Sequence, residues 1–226
     1  LMTMCSGVSR GIMAAMTSSS AAPSVTKICT IRARWATSAG ELTKPGVFRA
    51  VRFHAVGGSG TTFDARRAIA DMIEISAALR EGVGPRGEFI LDAHTRFSLA
   101  DAVYLCQRIE PLAPLFVEDP LRIIDDVEGF ASLRQRVTVP LAAGEQFAGL
   151  RDGNLPLVER GLIDYLRSTI PNVGGLTGFR KLGVLCEAHG VTMVPHFTAP
   201  IATAAVVHAL FAHGGPVMNE VLRPAL

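Results

Sequence analysis

From Gly46 onward, short apolar runs alternate with turns and amphipathic segments. One amphipathic segment, residues 64–81, repeats its apolar positions at the three- and four-residue spacing of a helix face. Alternation of apolar runs with helical segments predicts a parallel sheet whose strands are joined by crossover helices. The candidate strands are residues 48–53, 88–92, 115–118, 140–144, 162–166, 191–195 and 216–220.

A polar residue stands near the carboxyl end of six candidate strands, at nearly constant spacing. The intervals between these residues are 26, 27, 24, 27 and 24, and each corresponds to one strand plus one helix. An open doubly wound sheet usually carries unequal insertions, whereas a barrel gathers its strand ends around one mouth. The spacing therefore predicts an α/β fold of the (β/α)7β TIM-like barrel type. The six residues are Asp92, Glu118, Glu145, Thr169, His196 and Glu220.

Two helix boundaries are also visible in the sequence. Ser98, followed three residues later by Asp101, resembles a capping box and predicts a helix over residues 99–109. A second helix is expected after the glycine pair at 174–175, ending at Gly190, a residue type suited to a C-terminal cap.

The composition agrees with a barrel and excludes two classes of partner. A chain of 226 residues can bury roughly 70% of the surface of its unfolded form. A hydrophobic share of 49% and a mean hydropathy of +0.33 are typical of strands covered by helices. No run of eighteen uncharged apolar residues occurs, so no membrane span is expected. A net charge of +2 with scattered basic residues predicts no nucleic-acid partner.

The four cysteines indicate a reducing compartment. None of them forms a CxxC pair, and two fall within predicted helices, so buried free thiols and a cytoplasmic location are expected. The cysteines are Cys5, Cys29, Cys106 and Cys186.

Residues 1–45 form an atypical N-terminal segment that is expected to be partly disordered. Its start is rich in Met, Ser and Ala and lacks the apolar core of a signal peptide, which favours a disordered tail or a start outside the natural reading frame. Within this segment, residues 28–34 are the candidate for the first strand. Residues 46–226 are expected to form the barrel domain.

Three acids at successive strand ends form a candidate metal site. Glu118 and Glu145 directly follow apolar runs, and Asp92 ends another. An acid at the end of a buried strand needs a partner, which disfavours the alternative that these are ordinary solvated charges. Oxygen ligands of this kind suit Mg²⁺, whereas zinc favours Cys and His.

Five motifs in sequence order carry a family resemblance. They are ILDAHTRFSLADAV, PLFVEDPLR, VPLAAGEQF, LIDYLRSTIPNVGGLTGFRKL and VPHFTAPIATAAVVHA. Together they resemble the mandelate racemase-like branch of the enolase superfamily, and in particular its acid-sugar dehydratases, such as galactonate and mannonate dehydratases. The resemblance covers residues 46–220. It implies a barrel that binds Mg²⁺ through Asp92, Glu118 and Glu145.

The resemblance also implies a reaction. In this family a proton is removed from the carbon next to a carboxylate, and the resulting ene-diolate is stabilised by the divalent cation. His196 matches the catalytic histidine of strand seven and is expected to act as base. His94 matches the histidine that dehydratases use as acid, and it shares a strand face with Asp92. The expected substrate is a small sugar acid, and a racemase or epimerase on the same site is the alternative.

Three further positions match polar groups of relatives. Arg52 and His54 are expected to face the substrate, although a salt bridge at the barrel rim is equally compatible with Arg52. Glu220 matches an acid that assists charge stabilisation or substrate binding, and its alternative is an exposed terminal residue.

The sequence departs from the family pattern in two ways. Thr169 stands where relatives often place an Asp that orients the strand-seven histidine; it is retained as a candidate substrate-binding residue. Residues 1–45 do not resemble the N-terminal capping domain, so a truncated barrel, incomplete on its N-terminal side, is expected. An exposed seam would favour a homo-oligomer. A catalytically inactive barrel remnant remains an alternative.

Overall fold

The computed structural model of the chain describes residues 2–5, 36–37, 39–40, 50–54, 63–123, 126–196, 200–213, 217 and 220–223. In these residues the strands are β1 (Met2–Cys5), β2 (Ala50–His54), β3 (Glu88–Asp92), β4 (Phe116–Glu118), β5 (Leu141–Ala143), β6 (Tyr165–Leu166), β7 (Thr192–Met193) and β8 (Glu220–Arg223). The helices are α1 (Ala65–Val83), α2 (Leu99–Ile109), α3 (Val127–Arg134), α4 (Leu155–Glu159), α5 (Leu176–His189) and α6 (Pro200–His213). A 3-10 turn at Glu110–Leu112 and a π-helical turn at Leu150–Asn154 extend two of the connections.

The strands form one parallel sheet in the order β7-β6-β5-β4-β3-β2-β1-β8. Its two ends meet, because Met193 of β7 forms a parallel bridge with Val217, which lies three residues before β8. The predicted TIM-like barrel is therefore confirmed. The place between β8 and β2 is held by β1, whereas the candidate first strand at 28–34 lies outside the described residues.

Two helix boundaries match those predicted from the sequence. The Ser98 hydroxyl accepts a hydrogen bond from Asp101 N–H at 3.2 Å and donates one to the Asp101 carboxylate at 2.7 Å, which caps α2. Gly190 ends α5 in the left-handed conformation, with φ of 71°. Polar side chains and glycines at these positions satisfy backbone groups that the helix leaves unpaired.

The strands bury both faces. Outward-facing residues pack under the helices in the large core, among them Val51, Phe89 and Leu91. Inward-facing residues form a small apolar layer that fills the barrel axis, made of Ala50, Ile90, Phe116, Ala142 and Val194. Burial of one Phe or Leu side chain contributes about 1.5–3 kcal/mol. This interior layer fills the barrel below the open end that is formed by the carboxyl ends of the strands.

Two expectations from composition can be compared with the structure. Cys106 and Cys186 are buried and free, as predicted. Among the described residues, no helix has both the length and the apolar character needed to cross a membrane.

Candidate metal centre and active site

A layer of charged side chains lies directly above the apolar layer of the barrel interior. Residues two apart along a strand point the same way. Asp92 therefore follows Ile90 on the inner face of β3, and Glu118 follows Phe116 on the inner face of β4. The strand register sets Asp92 beside Glu118, so the two acids are neighbours at the barrel mouth.

Arg52 of β2 joins these two acids. Its buried guanidinium donates from Nη2 to Asp92 Oδ2 at 2.7 Å. It also donates from Nε to Glu118 Oε2 at 2.7 Å and from Nη2 to Glu118 Oε1 at 3.0 Å. Arg52 thus forms salt bridges within the barrel interior, and its expected contact with a substrate stays a prediction.

A second guanidinium reaches Glu118 from β6. Arg167 follows the last residue of that strand, is completely buried, and donates from Nε to Glu118 Oε1 at 2.7 Å. Within the described residues, Oε1 of Glu118 thus accepts two guanidinium hydrogen bonds and Oε2 accepts one. A carboxylate oxygen has two lone pairs, so Oε2 keeps one lone pair for a further ligand.

The acids with open oxygens form a compact cluster. Ligand oxygens of Glu118, Asp119 and Glu145 lie within 4.8 Å of one another, close enough to share one metal ion. Oδ2 of Asp119 and Oε2 of Glu145 are buried and accept no hydrogen bond from the described part of the chain. The structure therefore brings together two of the predicted ligands and adds Asp119, while Asp92 is joined to Glu118 through Arg52.

Left-handed backbone conformations surround this cluster. His94, Thr95 and Asp119 have φ angles of 49°, 55° and 40°. Such angles are uncommon for residues other than glycine and tend to occur at functional sites. At Asp119 the unusual backbone accounts for a side chain that joins Glu118, although residues adjacent along a regular strand face opposite ways.

Burial and charge shift the acids in opposite directions. Burial raises the pKa of Asp92 well above its usual value, although Arg52 opposes the shift. Burial also raises the pKa of Asp119, and the nearby Glu118 and Glu145 carboxylates add to it. Burial would raise the pKa of Glu118 too, but Arg167 and Arg52 outweigh it, so this pKa is lowered to about 2. Glu118 is thus held ionised by its two arginines.

Two histidines lie against Glu145. His196 Nε2 is 2.8 Å from Glu145 Oε2, an ion-pair distance without the alignment of a directed hydrogen bond. His94 Nδ1 is 3.8 Å from Glu145 Oε1 and 3.6 Å from Asp92 Oδ2, and its side chain is 44% exposed. The predicted base and the predicted acid therefore lie on the same acid cluster, and both are open to the mouth.

The other predicted site residues are placed as follows. His54 packs edge-on against His94, with ring centroids 6.1 Å apart, and burial together with Arg52 lowers its pKa. Thr169 is buried, and its hydroxyl accepts a hydrogen bond from the N–H of Asn172 at 3.3 Å. Glu220 begins β8, paired with Met2, and its side chain lies outside the described residues.

Sequence reasoning missed two residues of this site. Asp119 was passed over because the alternation of a strand turns it away from Glu118. Arg167 lies within the motif LIDYLRSTIPNVGGLTGFRKL but was assigned no role, although it stands two residues after Tyr165, whose ring packs on Phe116 of the interior layer. A charged residue two positions after an inward-facing one was the signal that could have found it.

The site fits a divalent cation. Its described acids are Asp92, Glu118, Asp119 and Glu145, and its described arginines are Arg52 and Arg167. With all four acids ionised, two negative charges remain after the arginines are counted, which one Mg²⁺ would neutralise. The open oxygens on Asp119 and Glu145 are hard ligands of the kind that Mg²⁺ prefers.

A sequence profile of the family described as "Enolase C-terminal domain-like" matches residues 33–225 of this chain. The chain belongs to this family. The resemblance first seen in its motifs is thereby confirmed.

Solved structures of several proteins share the fold of this chain. A mandelate racemase/muconate lactonizing enzyme from Jannaschia sp. CCS1 is 24% identical, with a TM-score of 0.79 over 99% of this chain and 55% of that one. A mandelate racemase/muconate lactonizing enzyme-like protein from Roseovarius sp. TM1035 is 24% identical, with a TM-score of 0.77 over 98% and 53%. The 3,6-anhydro-D-galactonate cycloisomerase from Zobellia galactanivorans is 26% identical, with a TM-score of 0.69 over 83% and 50%. This chain thus spans about half the length of these proteins.

Proposed function

We propose that the protein is a Mg²⁺-dependent hydro-lyase that dehydrates a small sugar acid after removing the proton next to its carboxylate. The observation that carries this proposal is the contact of two histidines with one acid of a buried carboxylate cluster, at 2.8 Å for His196 and 3.8 Å for His94. The likeness to a cycloisomerase of 3,6-anhydro-D-galactonate, itself a sugar acid, supports the substrate class.

The metal ligands in this proposal are Glu118 and Glu145, with a third carboxylate from Asp92 or Asp119. Mg²⁺ bound there would supply a Lewis acid that stabilises negative charge on the substrate carboxylate. Arg52 and Arg167 hold Glu118 in place and ionised. Because the site is buried, these charges act in a medium of lower dielectric than water, where they are stronger.

His196 is the proposed base. Its side chain is 27% exposed at the mouth, so a bound substrate can reach it, and Glu145 beside Nε2 stabilises the imidazolium formed when it takes a proton. His94 is the proposed acid that protonates the departing hydroxyl group. It enters the site from β3, next to Asp92 and across Glu145 from His196.

An epimerase is the second candidate. Two histidines that contact different oxygens of the same Glu145 carboxylate also suit a reaction in which one base removes the proton and another returns it. The two candidates differ in whether a carbon–oxygen bond is broken, so the product distinguishes them.

Calorimetry of Mg²⁺ binding tests the metal site. Glu118→Gln removes the charge at the centre of the cluster, and we expect its Mg²⁺ affinity to fall at least tenfold. Glu128→Gln is the matched control, because Glu128 lies on the surface in an ion pair with Arg160. Equal binding by the wild type and Glu118→Gln would remove the metal assignment.

A panel of aldonates and uronates in D₂O tests the chemistry. Formation of a 2-keto-3-deoxy product, detected with semicarbazide, indicates dehydration. Deuterium incorporation next to the carboxylate without this product indicates epimerisation. If the Mg²⁺-loaded wild type produces neither signal with any member of the panel, the sugar-acid proposal is wrong.

A further inference from the structure

Arg167 is a buried side chain that connects three strands of the barrel. It follows β6, its side chain is completely buried, and it is among the largest fully buried side chains in the described residues. Its Nε donates to Oε1 of Glu118, the last residue of β4, at 2.7 Å. A charged side chain this deep persists only when its donors have partners, so its contacts define what it does.

The other end of the guanidinium holds the segment after β7. Nη1 of Arg167 donates to the carbonyls of Val194 and Pro195, at 2.8 and 3.3 Å. These are the last two carbonyls before His196. The backbone adds a further link, because His196 N–H donates to the Arg167 carbonyl at 3.3 Å. Arg167 thus contacts the path of the chain immediately before the candidate base.

Thr169 follows Arg167 by two residues but is engaged elsewhere. Its hydroxyl accepts a hydrogen bond from Asn172 N–H in its own turn, at 3.3 Å. The described contacts that fix His196 are therefore Glu145 at its ring and Arg167 at its backbone.

We propose that Arg167 is a positioning residue that ties the orientation of His196 to the metal-binding carboxylate of Glu118. The proposal rests on the proposed function for the role of His196. The planar guanidinium is suited to this task because it presents several donors in a fixed fork, one edge to a carboxylate and another to carbonyls. A lysine has a single ammonium group and cannot span both partners in the same way.

The ring signals of His196 provide the test, with no substrate required. In protein labelled with ¹⁵N-histidine, ring nitrogen shifts report the tautomer and environment of each histidine, and His196→Gln assigns the signal. We expect Arg167→Met to shift the His196 signals toward those of an exposed histidine, with or without Mg²⁺. An unchanged His196 pattern in folded Arg167→Met overturns the proposal.

Arg80→Met is the matched control. Arg80 also clamps backbone carbonyls, those of Leu112, Gly84 and Gly87 at 2.7–2.9 Å, but these lie away from the mouth. The Arg80→Met substitution is expected to leave the His196 ring signals unchanged from those of the wild type. An equal shift of these signals in Arg80→Met would mean that general loosening is responsible, which also overturns the proposal.

Arg167→Lys keeps the test decisive if Arg167→Met does not fold. The lysine retains a positive charge beside Glu118, so Mg²⁺ binding should survive, while the His196 signals should still shift. Unchanged signals in this variant overturn the proposal.

If the wild type converts a sugar acid of the panel, steady-state kinetics with that substrate give a second test. Misplacement of a base by about 1 Å lowers rates on the order of 10- to 100-fold, so kcat of Arg167→Met should fall by this factor with KM little changed. An unchanged kcat overturns the proposal. If no substrate is found or Glu118→Gln binds Mg²⁺ normally, the proposed function fails, whereas the His196 spectra still decide the role of Arg167.

Discussion

Arg52 and Glu118 form a bidentate ion pair inside the barrel, with an Nε–Oε2 distance of 2.7 Å and an Nη2–Oε1 distance of 3.0 Å. Their side chains are 1% and 0% exposed. Both side chains are shielded from solvent. Loss of either partner would therefore leave the other charge buried and uncompensated.

Arg52→Met should destabilise the metal-free protein. Removal of one partner from a buried ion pair costs about 3–5 kcal/mol, because the remaining charge is left uncompensated. Mg²⁺ should restore part of this free energy of unfolding, since it supplies positive charge beside Glu118. Urea denaturation with EDTA and with Mg²⁺ measures both effects.

Arg160→Met is the control for that experiment. Arg160 pairs with Glu128 on the surface, so its loss should leave the free energy of unfolding unchanged within error. If Arg52→Met behaves like this control, the buried pair does not stabilise the fold.

Asp92→Asn and Asp119→Asn should differ in Mg²⁺ affinity. Both oxygens of Asp92 accept hydrogen bonds, from the His94 N–H at 2.8 Å and from Arg52 at 2.7 Å. Asp119 Oδ2 accepts none from the described residues. In the arrangement of this structure, Asp119→Asn should therefore weaken Mg²⁺ binding more than Asp92→Asn does. Calorimetry of the two variants decides the third ligand, and a greater loss in Asp92→Asn would show that Asp92 leaves Arg52 to bind the metal.

Two strand ends of this protein could be recognised in the sequence because β3 and β4 each finish in an acidic residue. Asp92 and Glu118 were found in this way, and the register confirms that they are neighbours. Asp119 could not be found, since its φ of 40° breaks the alternation on which the reading depends.

Side-chain pairs between residues far apart in the sequence could not be predicted from it either. Arg167 lies 49 residues from Glu118 along the chain, and β6, which carries it to the site, is only two residues long. A periodic pattern cannot be recognised in so short a strand. The position of β1 at Met2–Cys5 was likewise unexpected, because four residues give no distinctive alternation.

His94→Asn should abolish dehydration and leave Mg²⁺ affinity nearly intact. His94 Nδ1 lies 3.6 Å from the nearest carboxylate oxygen of Asp92, so the ring adds little to the placement of the acids. Asparagine cannot donate a proton to a departing hydroxyl group. The semicarbazide assay and calorimetry measure the two properties, and a fully active variant would refute the acid role.

Cys106 and Cys186 should resist thiol reagents in the native protein. Burial raises the pKa of each thiol to about 12, so both remain neutral at pH 8 and lack the reactive thiolate. Because the unfolded thiols ionise near pH 9, their contribution to stability is complete below that pH and is lost as the pH rises towards 12. Alkylation followed by peptide mapping, with and without urea, checks this, and rapid native labelling of Cys106 would contradict the buried position.

Gly144→Ala should destabilise the junction between β5 and β6. A Cβ atom there would lie 2.8 Å from Ser168 N and 3.1 Å from Arg167 N, and φ is +136°. The backbone would have to shift, at a cost of about 1–3 kcal/mol. Gly161→Ala separates the two causes, because Gly161 has φ of +62° but no atom within 4 Å of the added Cβ. Urea denaturation should give the larger loss for Gly144→Ala, together with a shift of the His196 ring signals through Arg167; equal losses would mean that close packing at Gly144 contributes nothing.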